Sequence, residues 1–229
     1  MEKPCLRIGH RGAMGHLAEN TMASIKKALE FGVDGIEIDV HKCASGELVV
    51  FHDFTLDRMT QASGEISKYT LSELKTFQVN GQFDIPTLEE VVTFIDRKCL
   101  LNIELKGRNT ALETERIIKK HIDYHGWMYG DFIVSSFQHH ELEHIFSLNS
   151  QVPLAVLTKA NVDEAIGFAK TINAHAIHPN IAIVTRNNVK EAKDMGYKVN
   201  VWTANNKDTI VRMKDYNVDA IISDFPDRI

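Results

Sequence analysis

Cysteine and proline are scarce in this sequence. The 229 residues include three cysteines and five prolines. Cys5, Cys43 and Cys99 are odd in number and form no Cys-x-x-Cys pair, which argues against a disulfide framework and against a structural zinc site. With only five prolines, no proline-rich linker is available to separate two domains.

A surplus of basic residues and a long apolar run are also missing. The chain has 26 Lys and Arg against 31 Asp and Glu, a net charge of −5, which opposes a general nucleic-acid binder. No apolar stretch has the length of a membrane span, and the first residues lack a signal-peptide pattern. We therefore expect a cytoplasmic protein without stable membrane association. With 44% hydrophobic and 25% charged residues, the composition is that of an ordinary globular protein.

Short apolar, β-branched segments alternate with segments of helical periodicity along the whole chain. Strands are predicted at residues 6–9, 35–40, 48–52, 100–105, 132–135, 153–157, 176–178, 198–202 and 220–223. Helices are predicted at about residues 21–31, 87–98, 110–125, 138–148, 162–172, 188–195 and 207–216. The second and third of these helices open with Thr-x-x-Glu, which predicts a capping box at Thr87 and another at Thr110.

One connection is too short for a parallel crossover. Seven residues, 41–47, separate the second and third predicted strands, whereas a crossover needs a dozen or more. These two strands should form an antiparallel hairpin with Ser45 and Gly46 at its tip. Without this hairpin, eight β/α units remain, which favours a TIM barrel over a doubly wound sheet. The sequence thus predicts an α/β fold, one TIM (β/α)8 barrel over residues 1–229 with a hairpin-containing insertion at about 41–83.

Active sites of TIM barrels lie at the carboxyl ends of the strands, so polar residues at these ends are candidates. His10 and Arg11 follow the first strand between two glycines, and an arginine offers a planar fork for phosphate. His52 and Asp53 end the hairpin and return a second histidine to the same rim. Two histidines beside basic groups suit the acid–base catalysis of phosphoryl chemistry.

Three carboxylates are predicted to converge at this rim. Glu37 and Asp39 share one face of the second strand because side chains alternate, and Glu104 takes the same face of the fourth predicted strand. Clustered carboxylates require a divalent cation, a shared proton or a bridging Arg or Lys, and their oxygens suit magnesium, calcium or manganese better than zinc. Lys106 shares the face of Glu104 and could hold an anion or pair with a carboxylate.

Other residues carry weaker signals. His140 and His144 have the spacing of a metal-binding pair on a helix but lack a third ligand, so a solvated helix face is favoured. His178, Trp202 and Asp224 each lie at a strand end. They could reach the mouth of the barrel, where Asp224 would support a catalytic group.

The motifs at these strand ends resemble, in the same order, those of the glycerophosphodiester phosphodiesterase family, and the resemblance covers nearly the whole chain. The matching segments are His-Arg-Gly at 10–12, Glu-Asn-Thr at 19–21, Gly-Ile-Glu-Ile-Asp-Val at 35–40, Leu-Val-Val-Phe-His-Asp at 48–53, Thr-Leu-Asp-Arg at 55–58, Pro-Thr-Leu-Glu-Glu at 86–90, Asn-Ile-Glu-Leu-Lys at 102–106, Val-Trp-Thr at 201–203 and Asp-Ala-Ile-Ile-Ser-Asp at 219–224.

The resemblance implies a TIM-barrel hydrolase that converts small glycerophosphodiesters to glycerol 3-phosphate and an alcohol in glycerol and lipid metabolism. The roles it implies are an acid–base pair of His10 and His52, one divalent cation (magnesium, calcium or manganese) on Glu37, Asp39 and Glu104, phosphate binding by Arg11 and Lys106, and an alcohol or glycerol pocket lined by Phe137 and Trp202. It leaves two routes open: attack on phosphorus by the adjacent glycerol hydroxyl through a cyclic phosphate, or direct attack by water.

Three other interpretations are compatible with a barrel. The first is phospholipase-D-like or phosphatidylinositol-lyase-like cleavage, which would need access to a membrane. The second is a Schiff-base aldolase using Lys106, which three nearby carboxylates disfavour because they keep the amine charged. The third is a barrel retained as a binding module. Release of glycerol 3-phosphate, measured with and without EDTA, separates all of these.

Overall fold

The computed structural model describes residues 4–229 and contains a closed barrel. The strands are β1 Leu6–Gly9, β2 Gly35–Lys42, β3 Leu48–Val50, β4 Gln78–Val79, β5 Phe83–Asp84, β6 Leu100–Leu105, β7 Phe132–Ser136, β8 Leu154–Thr158, β9 Ala176–Pro179, β10 Lys198–Val201 and β11 Ala220–Ser223. Eight of them, all except β3, β4 and β5, form a parallel sheet that closes because β1 pairs with both β11 and β2. The predicted TIM barrel is confirmed.

Helices occupy the gaps between the barrel strands and bury an apolar face in the core, except α2, which lies in the insertion and contributes Leu74 to its cluster. The helices are α1 Met22–Glu30, α2 Leu71–Leu74, α3 Leu88–Ile95, α4 Ala111–His125, α5 His139–Leu148, α6 Val162–Thr171, α7 Arg186–Asp194 and α8 Lys207–Asp215. The capping box predicted at Thr87 is present. The Thr87 hydroxyl accepts a hydrogen bond from the Glu90 N–H, and the Glu90 carboxylate accepts one from the Thr87 N–H. Helix α3 ends before Lys98 because Asp96 and Arg97 have positive φ angles of 44° and 60°.

The prediction of a capping box at Thr110 is wrong. Thr110 has helical backbone angles, and its hydroxyl makes no cap hydrogen bond. The buried carboxylate of Glu141, on α5, takes its place: Oε2 accepts from the N–H groups of Thr110 at 3.1 Å and Ala111 at 2.9 Å. A carboxylate satisfies several free N–H groups at once and interacts favourably with the helix dipole, so it caps the helix better than a hydroxyl.

The predicted antiparallel hairpin is also present. Strand β3 pairs with the end of β2, with Val40 opposite Val50, and Gly46 at the tip has a φ angle of 106°. The following segment buries its own apolar cluster beside the barrel, and two short elements within it, α2 and the β4–β5 hairpin, were not predicted. The cluster comprises Cys43, Val49, Phe51, Leu56, Ile66, Leu74, Val79 and Ile85.

No helix within residues 4–229 has the length and apolar character needed to cross a membrane.

The position of His178 corrects the expectation that this residue reaches the barrel mouth. Its side chain is fully buried on β9, and Nε2 accepts a hydrogen bond from the Asn200 side-chain amide at 2.9 Å. Asn200 lies on the neighbouring strand β10. Burial lowers the pKa of His178 to about 3, so the ring is neutral in the folded protein. His178 is therefore a buried structural residue.

His178 is expected to make folding stability depend on pH. The pKa of about 3 in the folded state lies below the ordinary value of 6.5 that the unfolded chain restores. Between these values the unfolded chain binds one more proton, so the free energy of unfolding is fully retained above about pH 6.5 and falls as the pH is lowered. One proton corresponds to about 1.4 kcal/mol per pH unit. Between about pH 6 and about pH 4, the free energy of unfolding should decrease by about 2 kcal/mol more in wild type than in His178→Gln.

Urea unfolding at a series of pH values checks this expectation. The matched control is His144→Gln, because His144 is exposed on α5 and should leave the pH dependence of wild type unchanged. If the unfolding free energies of wild type and His178→Gln fall in parallel with pH, the neutral buried state of His178 is refuted.

Candidate active site

The predicted site residues meet at the carboxyl ends of the barrel strands. A cavity of about 360 Å³ opens there. Its lining residues are His10, Arg11, Glu37, His52, Asn102, Glu104, Lys106, Phe137, Leu157, Lys159, Trp202, Thr203 and Ile222. Cavities of about 600 Å³ and 680 Å³ lie, respectively, at the opposite end of the barrel and beside the insertion. Neither contains the carboxylate cluster, so the smaller cavity is the candidate active site.

Pairing of β2 with β6 brings three carboxylates together. In this register Asp39 lies opposite Glu104, and Glu37 is two residues before Asp39 on the same face. One oxygen from each of the three side chains lies within 4.8 Å of the others. Glu37 and Asp39 are buried and Glu104 is 9% exposed, and Glu37 Oε1 has no hydrogen-bond partner. A buried carboxylate oxygen without a partner, within a set of hard oxygen donors, fits a divalent cation.

The carboxylates of this cluster ionise unequally. Burial, with the charges of Asp39 and Glu104, raises the pKa of Glu37 well above its ordinary value. Burial and the charge of Asp39 likewise raise the pKa of Glu104 to about 7. Burial alone would also raise the pKa of Asp39, but the charges of Arg11, His52 and Lys106 together outweigh this effect and lower it. Without a cation, therefore, two of the three carboxylates tend to hold a proton.

Two basic side chains border the cluster. Arg11 Nε lies 3.2 Å from Asp39 Oδ2, and Lys106 Nζ lies 3.0 Å from Glu104 Oε1 and 3.8 Å from Asp39 Oδ1. The bridging ion pairs foreseen as an alternative to a cation are thus present beside a geometry that suits a cation. Both groups also line the cavity, where they can face an anion.

The loop after β1 requires an unusual backbone to place Arg11. Arg11 and Gly12 have φ angles of 49° and 84°, and a Cβ atom on Gly12 would lie 2.5 Å from the Ser24 hydroxyl oxygen. Only glycine fits at position 12. This turn lets the Arg11 N–H donate to Glu37 Oε2 at 2.9 Å.

Each of the two histidines is held by a carboxylate. Asp224 Oδ1 lies 2.6 Å from His10 Nδ1, and Asp53 Oδ1 lies 2.6 Å from His52 Nδ1. Asp224 thus has the supporting position considered from the sequence, and Asp53 holds His52 in the same way. These contacts fix the rings and leave each Nε2 for chemistry, and His10 Nε2 lies 3.9 Å from Glu37 Oε2. Burial lowers the pKa of His52, which favours its neutral form.

An aromatic corner closes the other side of the cavity. The rings of Phe137 and Trp202 meet edge to face with centroids 5.6 Å apart. Trp202 Nε1 donates to the His178 carbonyl oxygen at 2.8 Å, which fixes the indole. Both residues line the cavity, and their role in an alcohol or glycerol pocket stays a prediction.

Several residues of the site were not assigned from the sequence. Asn20 donates from Nδ2 to Asp39 Oδ2 at 2.9 Å, and Asn205 donates from Nδ2 to Asp224 Oδ2 at 2.6 Å. Lys159 lies at the cavity edge directly after β8, so the strand-end rule used for Lys106 would have found it. Asn20 lies in the Glu-Asn-Thr segment of the family resemblance, which assigned it no role, whereas no signal marks Asn205; both asparagines reach the site from loops. His140 and His144 are exposed on α5, as expected for a solvated face.

Residues 10–228 match the model of the glycerophosphoryl diester phosphodiesterase family. The chain is 34% identical over 234 residues to a glycerophosphodiester phosphodiesterase of Caldanaerobacter subterraneus, covering 98% of this chain and 96% of the relative. It is 36% identical over 235 residues to a glycerophosphodiester phosphodiesterase of Bacillus altitudinis, covering 96% and 95%.

A solved structure is similar over the same length. A phosphodiesterase of Oleispira antarctica, in complex with its product sn-glycerol-3-phosphate, superimposes with a TM-score of 0.90 at 29% identity. The match covers 99% of this chain and 95% of that chain.

Proposed function

Because the chain belongs to the glycerophosphoryl diester phosphodiesterase family, we propose that its barrel mouth hydrolyses a small glycerophosphodiester to glycerol 3-phosphate and an alcohol. The enzyme class itself, glycerophosphodiester phosphodiesterase, follows from the family and the relatives. The observation that supports the finer proposal is a single cavity. Two histidines, each held by a carboxylate, lie there beside the acidic cluster and the two basic side chains, Arg11 and Lys106. The product bound to the Oleispira antarctica phosphodiesterase supports the choice of glycerol 3-phosphate.

Arg11 and Lys106 would bind the phosphodiester. A phosphodiester resists hydrolysis because its negative charge repels nucleophiles and grows further in the transition state. The guanidinium and ammonium groups line the cavity beside the carboxylates, so they can offset this charge in a partly desolvated site. Burial opposes the charged state of Lys106, but Glu104 and Asp39 raise its pKa, so the amine stays protonated and cannot act as a Schiff-base nucleophile.

Glu37, Asp39 and Glu104 would hold one divalent cation, with magnesium, calcium or manganese as the ions that suit three carboxylates. Such a cation, when bound, polarises a phosphoryl oxygen and acidifies a hydroxyl next to it. The chain supplies the rest of the site: Asn20 keeps Asp39 oriented, and Arg11 balances part of the cluster's charge.

His10 and His52 would move the protons. One ring takes the proton of the attacking hydroxyl, and the other gives a proton to the departing alcohol, whose expulsion as an alkoxide is otherwise slow. Asp224 and Asp53 fix the tautomer of each ring through Nδ1, which presents Nε2 to the substrate. The neutral form that burial favours for His52 suits the ring that accepts a proton first.

Identification of the reaction product tests the proposed function. Glycerophosphocholine, glycerophosphoethanolamine, glycerophosphoglycerol and glycerophosphoinositol are each incubated with the enzyme, and glycerol 3-phosphate is measured through its dehydrogenase. We expect glycerol 3-phosphate from at least one of them. Lysophosphatidylcholine should react at least about tenfold more slowly, because a cavity of about 360 Å³ leaves little space for an acyl chain. Release of phosphocholine instead, or preference for the acylated substrate, would favour the lyase-like or phospholipase-D-like alternative.

A further inference from the structure

Arg58, in the insertion, joins two carboxylates at the edge of the active site. Its Nε lies 2.5 Å from Asp53 Oδ2 and its Nη2 lies 3.0 Å from Asp53 Oδ1, a two-pronged contact. The same guanidinium donates from Nη1 to Glu19 Oε2 at 3.0 Å and from Nη2 to Glu19 Oε1 at 2.7 Å. A planar guanidinium makes such paired contacts, whereas a lysine ammonium cannot.

Each of these carboxylates holds a residue of the proposed machinery. Asp53 Oδ1 contacts His52 Nδ1 at 2.6 Å. Glu19 Oε1 accepts from Arg11 Nη1 at 2.7 Å, and Glu19 is 9% exposed. The contacts therefore run without interruption from His52 through Asp53, Arg58 and Glu19 to Arg11. They connect the insertion, which carries His52, to the loop after β1, which carries Arg11.

The charges along this chain of contacts support one another. The Arg58 hydrogen bonds lower the pKa of Asp53 to about 2. Asp53 is therefore ionised at neutral pH, where it contacts His52 Nδ1. The hydrogen bonds that Arg58 donates to Glu19 and Asp53 raise the pKa of Arg58 above its ordinary value. Without Arg58, the Asp53 carboxylate would keep its contact with His52 alone, and the Glu19 carboxylate its contact with Arg11 alone.

We propose that Arg58 is a positioning residue that sets the His52 ring against the phosphate-binding Arg11 through Asp53 and Glu19. This inference rests on the proposed function, because it assigns Arg58 to the histidine and arginine of that reaction. Arg58 contacts the carboxylates and does not line the catalytic cavity.

The local fold has anchors other than Arg58. Leu56 is fully buried in the apolar cluster of the insertion, and its N–H donates to the Gly64 carbonyl oxygen. The Gly64 N–H donates in turn to Asp57 Oδ2 at 3.0 Å. The Arg58 side chain itself is 48% exposed, so its removal leaves no empty core space. Arg58 variants should therefore fold.

Arg58→Ala, Arg58→Lys and the control Arg186→Ala test the proposal on the metal-supplemented enzyme. Arg186 matches Arg58 because it is a half-exposed arginine that pairs with an aspartate, Asp215, on the outer helices. We expect Arg58→Ala to lower kcat by about 10- to 100-fold with KM changed less than about threefold, as for other supporting residues of a site. Arg58→Lys should be intermediate. Guanidinium ion at millimolar concentration should restore the turnover of Arg58→Ala by at least about fivefold and leave Arg186→Ala unchanged.

A spectroscopic measurement tests the geometry independently of turnover. The Nδ1 proton of His52, shared with an ionised carboxylate at 2.6 Å, should give a far-downfield proton resonance, assigned by its loss in Asp53→Ala. This resonance should shift or disappear in Arg58→Ala and persist in Arg186→Ala. An unchanged resonance, or turnover of Arg58→Ala within about twofold of wild type, overturns the proposal. Inactivity of the wild type on every diester would instead refute the proposed function, while the resonance would still report on Arg58.

Discussion

Addition of EDTA is expected to lower turnover of a glycerophosphodiester by about 1000-fold or more, and magnesium, calcium or manganese should restore it. The reason is the cluster of Glu37, Asp39 and Glu104, whose oxygens lie within 4.8 Å of one another around the unpartnered Glu37 Oε1. A divalent cation stabilises charge in such a transition state by several kcal/mol, which corresponds to roughly three orders of magnitude in rate. Zinc should restore less, since three carboxylates are a poor donor set for it.

The affinity of the site for the cation should decrease as the pH is lowered. Burial and the charge of Asp39 raise the pKa of Glu104 to about 7 in the absence of a cation. Below this value Glu104 is protonated and must release its proton before it can bind. Titration calorimetry should therefore show weaker binding at about pH 6 than at about pH 8, with protons released to the buffer.

Two variants separate the cluster from general effects of charge. Glu104→Gln removes one anionic ligand with little change in size and should weaken cation binding at least about tenfold. Glu143→Gln, at an exposed position on α5, removes the same charge far from the cluster and should bind as wild type does. Full turnover in excess chelator, after dialysis against it, would show that this cluster does not hold a cation needed for the reaction.

The barrel and most of the site could be predicted because both depend on local periodicity. Alternation along β2 places Glu37 and Asp39 on one face, and the short connection after it permits only an antiparallel hairpin. The strand-end rule of TIM barrels then brings His10 and Lys106 to the same rim. Each of these steps requires only residues that are close in the sequence and a fold that is already assigned.

The features that were missed depend on partners distant in the sequence. Glu141 caps α4 from 31 residues away, and this competing group invalidated the prediction at Thr110. His178 ends a strand but faces the barrel interior, where Asn200 satisfies one ring nitrogen. Arg58 bonds to Glu19 across 39 residues, and nothing in the local pattern at either position announces the other. Side-chain networks of this kind become visible only in three dimensions.

His10→Ala and His52→Ala should each lower kcat on glycerophosphocholine by about 100- to 10,000-fold, the range that general acid–base catalysis contributes. Both variants should fold, because the two rings line a cavity and are only part-buried. His144→Gln, at an exposed position on α5, serves as the control and should keep wild-type turnover. A His52→Ala variant with near wild-type turnover would remove His52 from the pair.

A substrate with an activated leaving group should then distinguish the two histidines. In glycerophospho-p-nitrophenol the departing nitrophenolate is stable as an anion at neutral pH, so it needs no proton donor. Burial lowers the pKa of His52 and keeps it neutral, as an acceptor must be, which leaves His10, held by Asp224 at 2.6 Å, as the donor. His10→Ala should therefore recover at least about tenfold of its loss on this substrate, while His52→Ala should stay as impaired as on glycerophosphocholine. The reverse pattern would exchange the two roles, because the variant that an activated leaving group rescues is the one that has lost the acid.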